Sequence, residues 1–171
     1  MSRKNWFFLP VIAVAVIVSG CGYRIGYMGH PQLSTVAVAP VANDTLSYNA
    51  AAVLRQKLSE VFTTDGTMKL KTITSADCIV YAKITKVTYT ENSGHLNNDD
   101  DFMPSEWRVT AEVEFSVVIP GRGKPLVGPK KITGSAEFIN DADLENARLN
   151  GLAQALFKAS QTIVSNVTEA W

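Results

Sequence analysis

Hydrophobic positions change period several times along the chain, and each period predicts an element. Thr35-Val36-Ala37-Val38-Ala39 is an unbroken run of small apolar residues closed by Pro40, as a strand buried on both faces requires. Asn43-Asp44-Thr45 and Ser47 bring turn and N-cap chemistry. Residues 48–63 then switch to helical spacing. Ala51, Leu54, Leu58, Val61 and Phe62 form one stripe, with Arg55, Lys57 and Glu60 off it. Asp65-Gly66 ends that helix, Gly supplying the left-handed cap.

Strands follow. Residues 68–73 predict a short one and residues 78–90 a long one. Within the long strand the apolar positions are even at first (Cys78, Val80, Ala82, Ile84) and odd later (Val87, Tyr89). A flip of phase inside a strand predicts a bulge near Thr85-Lys86. Residues 107–119 alternate most cleanly. Val109, Ala111, Val113, Phe115, Val117 and Ile119 share one face, and Arg108, Thr110, Glu112, Glu114 and Ser116 the other. Residues 132–139 continue the pattern. Asp141 and Asp143 cap a last helix running to about Thr168, with Leu149, Leu152, Leu156, Ala159, Ile163 and Val167 as its core stripe. Residues 92–104 are a long polar loop, and no internal repeat is visible.

The order β-α-β-β-β-β-α predicts an α/β (α+β) two-layer sandwich: a mixed four- to five-stranded sheet with two helices on one face. The first strand-helix-strand unit implies a right-handed crossover. The later alternation implies antiparallel strands with one wet face.

The first twenty residues belong to a different class. Arg3 and Lys4 precede a 13-residue apolar run, residues 6–18. That run falls short of the ~20 helical residues a bilayer core needs. It reads as a secretory signal. Val18-Ser19-Gly20-Cys21 follows, resembling a bacterial lipobox with cleavage before Cys21 and acylation of its thiol. The alternatives are an ordinary signal peptide or an anchor helix with a chance cysteine. The predicted domains are therefore a lipoprotein signal peptide over residues 1–20, a lipidated Gly/Pro-containing leash over residues 21–34, and one α/β domain over residues 35–171. An Asp after the lipidated Cys often signals inner-membrane retention. Gly22 stands there instead, which points to the outer membrane, periplasmic side.

Composition changes this picture little, but it excludes a good deal. The 171 residues carry 16 basic and 16 acidic side chains, so the basic excess of a nucleic-acid binder is missing. Removing Arg3 and Lys4 leaves 14 basic against 16 acidic residues. Two Cys and two His provide neither a disulfide framework nor a Cys/His metal site. Cys78, at the start of an apolar strand, reads as a small buried hydrophobe. His30 and His95 have no ligand at metal spacing and read as surface residues. Asn97-Asn98-Asp99-Asp100-Asp101 lacks the spacing, turn Gly and distal Glu of a calcium loop, and reads as a solvated tip. No nucleophile elbow or phosphate-binding Gly loop occurs, so no catalytic residue, cofactor or metal is expected, and the chain is not expected to be an enzyme.

Two constellations remain. The segment from Pro120 to Lys131 carries Arg122, Lys124, Lys130 and Lys131, with no carboxylate until Glu137. It reads either as a solvated hairpin loop or as a contact for anionic lipid phosphates. The wet sheet face collects Lys69, Lys71, Tyr81, Lys83, Arg108, Thr110, Glu112, Glu114, Thr133, Ser135 and Glu137. It is either plainly solvated or fitted to the polar lumen of a membrane barrel.

The Cys21-Gly22-Tyr23-Arg24 start, the run from Thr35 to Thr45, the Leu-rich helix, Ser75-Ala76-Asp77 before a long strand, and a final helix ending near Trp171 together resemble the lipopolysaccharide-assembly lipoprotein family, LptE. The likeness spans nearly all of the chain after Cys21. Val-Ala-Val-x-Pro followed by Asn-x-Thr also occurs in lipoproteins related to penicillin-binding-protein activators and to curli secretion. The resemblance implies two helices on a four- or five-stranded mixed sheet. It implies a partner, an LptD-type outer-membrane β-barrel whose lumen the lipoprotein plugs, and contact with lipopolysaccharide through basic residues. Placing that contact at Arg122, Lys124, Lys130 and Lys131 rests on their charge and position. The alternative function is a periplasmic accessory of a peptidoglycan synthase or secretion complex.

Overall fold

In a computed structural model, residues 33–93, 106–139 and 143–168 are described. The signal peptide, Cys21, most of the leash, His30, His95, Asp99–Asp101, Asp141 and Trp171 lie outside them. The elements are β1 (Thr35–Val38), β2 (Ala42–Asn43), α1 (Ala50–Asp65), β3 (Lys69–Leu70), β4 (Cys78–Ser93), β5 (Glu106–Val118), β6 (Val127–Ile139) and α2 (Leu144–Thr168).

The sheet is mixed, in the order β3-β1-β4-β5-β6, with the two-residue β2 also paired to β4. β1 runs parallel to β3 and β4, and β2 parallel to β4. β4, β5 and β6 form an antiparallel meander. Both helices pack on one face, as the alternation predicts. Leu54, Leu58 and Phe62 of α1 and Leu156 and Ile163 of α2 meet Val80, Ile84, Val113 and Phe115 of the sheet in one buried core. β1 is buried on both sides: Val36 and Val38 face this core, while Ala37 and Ala39 join Ala76 and Ile79 in a small second cluster.

Details differ where local chemistry competes with period. Residue 48 lies outside α1, which starts at Ala50. Asn49 holds a left-handed backbone there and makes no side-chain cap bond. Asn43 instead accepts from the Thr45 backbone N–H and hydroxyl, closing a turn. That start places Ala50, rather than Ala51, in the buried stripe. The short strand at residues 68–73 contracts to Lys69–Leu70. Leu149, expected in the core stripe of α2, is 49% exposed. Ser34, counted in the leash, is bonded to Asp77, and Leu33 packs against the core.

Other signals hold. The register of β4 against β5 shifts between Ile84 and Lys86, where the change of phase placed the bulge. Gly66 has φ 69° and its N–H returns to the Phe62 carbonyl. Asp143 accepts from the Asn146 backbone N–H at 3.1 Å, capping α2.

Candidate functional site

The four cations predicted to share one loop divide into two groups. Arg122 and Lys124 stand exposed on the β5–β6 connection, which is closed by Leu126 N–H on the Val117 carbonyl at 2.7 Å and by Arg122 N–H on the Ile119 carbonyl. Lys130 and Lys131 lie inside β6, which begins at Val127. Because strand residues alternate faces, these two point opposite ways. Lys130 lies opposite Phe115, on the helix side, and bonds Asn166 of α2. Lys131 lies opposite Glu114 on the open face. Pro129 hid this strand extension in the sequence. It sits where the β5–β6 register slips between Phe115 and Val117, a position that tolerates a missing N–H.

The position of the loop follows from strand register. β1 enters beside Lys69 and Cys78. Ile79 pairs with Val118, the last residue of β5. The chain therefore enters the domain at the same end of the sheet that carries the Arg122–Lys124 loop. α2 also ends there, since its Asn166 reaches Lys130.

Asp77 fixes this entry point. Its Oδ2 accepts from the backbone N–H of Ser34 at 3.0 Å and Thr35 at 2.9 Å, and from their hydroxyls at 3.2 and 2.8 Å. The Thr35 hydroxyl bond, followed by these backbone bonds, holds the carboxyl below its ordinary value. Next to it, Cys78 is buried, and desolvation pushes its thiol up to about 11. Such a thiol stays protonated at neutral pH.

The second candidate is the open sheet face. Across β4, β5 and β6 its side chains form rows: Lys83, Glu114 and Lys131; Lys86, Glu112 and Thr133; Thr88, Thr110 and Ser135; Thr90, Arg108 and Glu137. Arg108 pairs with Glu137 at 2.5 Å and holds its carboxyl below the usual value. Lys83 reaches Asp44 at 2.5 Å, and that hydrogen bond raises the lysine. The face carries alternating charge and Thr hydroxyls, and both described helices pack on the opposite side. Lys69 and Lys71, predicted to share it, lie on and after the short β3 at the far sheet edge. Among the described residues no group of three or more His, Cys, Asp or Glu side chains is placed to hold a metal ion.

No protein-family model and no curated protein matches the chain. Solved structures share its fold. A hypothetical protein from Chlamydia trachomatis, CT253, superposes with TM-score 0.56 at 15% identity, over 81% of this chain and 99% of that one. Protein XCC0632 from Xanthomonas campestris gives TM-score 0.55 at 10% identity, over 83% and 91%. A minor lipoprotein from Acinetobacter baumannii gives TM-score 0.51 at 12% identity, over 80% and 93%.

Proposed function

We propose that this chain is an outer-membrane lipoprotein, anchored through acyl chains at Cys21, that supports lipopolysaccharide export by plugging an LptD-type β-barrel and contacting the lipid. It acts without catalysis. The observation that carries this reading is the shared location of chain entry and the Arg122–Lys124 loop. Residues 21–33 reach at most ~40 Å when fully stretched. A lipid anchor at Cys21 thus keeps the entry end of the domain near the membrane, and that end presents two exposed loop cations to lipid phosphates. The open face, with its mixed charge and Thr rows, suits the polar lumen of a barrel. The common fold with a minor lipoprotein fits an anchored periplasmic domain.

Two measurements test this. Mass spectrometry of the mature N-terminus should find an acylated Cys21. Purification of the acylated protein in mild detergent should retain a large β-barrel. Recovery of a peptidoglycan synthase in its place would support the accessory alternative and refute export.

A further inference from the structure

A second basic site lies across the sheet from the Arg122–Lys124 loop. After β3 the chain crosses β1 to reach β4. Where that crossing starts, an open depression of about 740 Å³ is lined by Arg55, Lys71, Thr72, Thr74 and Ser75, with no carboxylate among its residues. Arg55 and Lys71 are exposed, and among the described residues neither forms an ion pair. Asp77, the closest acid in sequence, is turned to Ser34 and Thr35. The loop itself is held in shape. The Thr72 hydroxyl meets that of Thr74 at 3.2 Å and that of Ser75 at 2.8 Å, and the Ser75 N–H donates to the Thr72 carbonyl. The backbone N–H groups of Thr72, Ile73 and Thr74 find no acceptor among the described residues. Two cations and three such donors at one depression suit an anion with several oxygens, as a phosphate is.

Register fixes the height of this site. Lys69 pairs with Thr35, and Val38, which also lines the depression, pairs with Val80, the third residue of β4. The depression therefore lies at the end where the chain enters the domain. β3 and β5 are three strands apart, about 14 Å at ~4.8 Å per strand, with β1 between them. The depression and the Arg122–Lys124 loop thus flank the entry point. Charge along the domain points the same way. The entry end carries Lys69, Lys71, Arg122 and Lys124, and its acids Asp65 and Asp77 accept backbone N–H bonds. The far end carries Glu91, Glu106, Asp143 and Glu145 against Arg148, besides the Arg108–Glu137 pair. A negative surface attracts the first end and repels the second. Ile73, 42% exposed between Thr72 and Thr74, adds an apolar side chain to the same loop. A free anion offers it nothing, whereas a headgroup layer has acyl chains beneath.

We infer that Arg55 and the loop of residues 71–75 form a second contact for the phosphates of an anionic lipid surface, so that the tethered domain stands on its entry end with a basic site on either side of the leash. This rests on the anchored reading above and adds to it a site and an orientation. The two sites are farther apart than the ~8 Å over which salt screens a charge at physiological ionic strength, so each engages its own headgroup.

The test uses the full-length acylated chain inserted in vesicles of phosphatidylcholine, with or without added phosphatidylglycerol. The acyl anchor holds the chain on both, so the readout is local. Amide hydrogen exchange at Thr72, Ile73 and Thr74 should slow by about tenfold or more on the anionic vesicles at low salt, and recover as salt rises. Arg55→Glu with Lys71→Glu should abolish the slowing and leave the melting temperature near wild type. Inorganic phosphate added to the phosphatidylcholine vesicles should not reproduce it. The inference is overturned if exchange is the same on both vesicles, if the charge reversal leaves the slowing intact, or if inorganic phosphate alone produces it. Acylation of Cys21 and retention of a barrel are read separately, so a chain that shows both but no slowing refutes this contact and leaves the export reading standing.

Discussion

A single carboxylate ties the first strand to the fourth. Asp77 gathers four donors from Ser34 and Thr35, and its own N–H returns to the Thr35 hydroxyl at 2.9 Å. Because its folded pKa lies below the ordinary 3.8, its contribution is complete above that value and fades as pH falls through the depressed one. Asp77→Ala should lower the urea midpoint at pH 7. The gap from wild type should be constant down to about pH 5 and narrow below about pH 4. A gap independent of pH would remove Asp77 from that role. On β5, adjacent residues should behave very differently. Phe115 is fully buried and Glu114 lies on the open face. Phe115→Ala should cost ~3–5 kcal/mol. Glu114→Ala should stay within about 0.5 kcal/mol. Chemical denaturation ranking the two the other way would reverse the strand's assigned faces.

Elements were legible where one period ran unopposed. β5 shows its buried face residue by residue, because its two sides meet core and solvent. The bulge in β4 was legible too, since an extra residue must flip the phase. The start of α1 was not: Ser47 looks like a cap, but the helix begins only at Ala50, after a left-handed Asn49 that makes no side-chain cap bond. Leu149 could not be sorted by helical spacing alone. It falls on the apolar stripe of α2, but it lines an open groove that neither described helix covers. The fit of α2 on β6 was also hidden in sequence, because it depends on an absent side chain. A Cβ on Gly134 would lie 2.1 Å from the Ala155 carbonyl oxygen and 2.7 Å from the Ala159 nitrogen. Both are helix backbone, which cannot rotate aside. Gly134→Ala should destabilise by ~3 kcal/mol or more, at the upper end of overpacking costs. Gly128→Ala, with open space at its Cβ, should be nearly neutral. Thermal melts that rank them equally would mean that α2 is not seated so closely.

For the molecule as a whole, the sheet has an end where the chain enters and a far end, and charge must be judged by which end it occupies. Sequence shows four cations within ten residues. It does not show that Pro129 sits in a bulge rather than ending a strand, so Lys130 and Lys131 look like loop residues. The register places them on opposite faces of β6, one engaged by Asn166 and the other beside Glu114. Only Arg122 and Lys124 remain at the tip of the end where the chain enters. Each cation near an anionic surface contributes ~1 kcal/mol, screened over a Debye length of ~8 Å at physiological salt. Arg122→Glu with Lys124→Glu should therefore weaken binding to lipopolysaccharide vesicles by ~2 kcal/mol or more, roughly thirtyfold, at low salt. The loss should shrink as salt rises. Stability should change by no more than about 0.5 kcal/mol, because both side chains are exposed on a loop. Lys130→Glu with Lys131→Glu places the same charge change on the strand, and should leave lipid binding near wild type. If the strand pair weakens lipid binding and the loop pair does not, the proposed lipid contact belongs to the sheet rather than to the entry end.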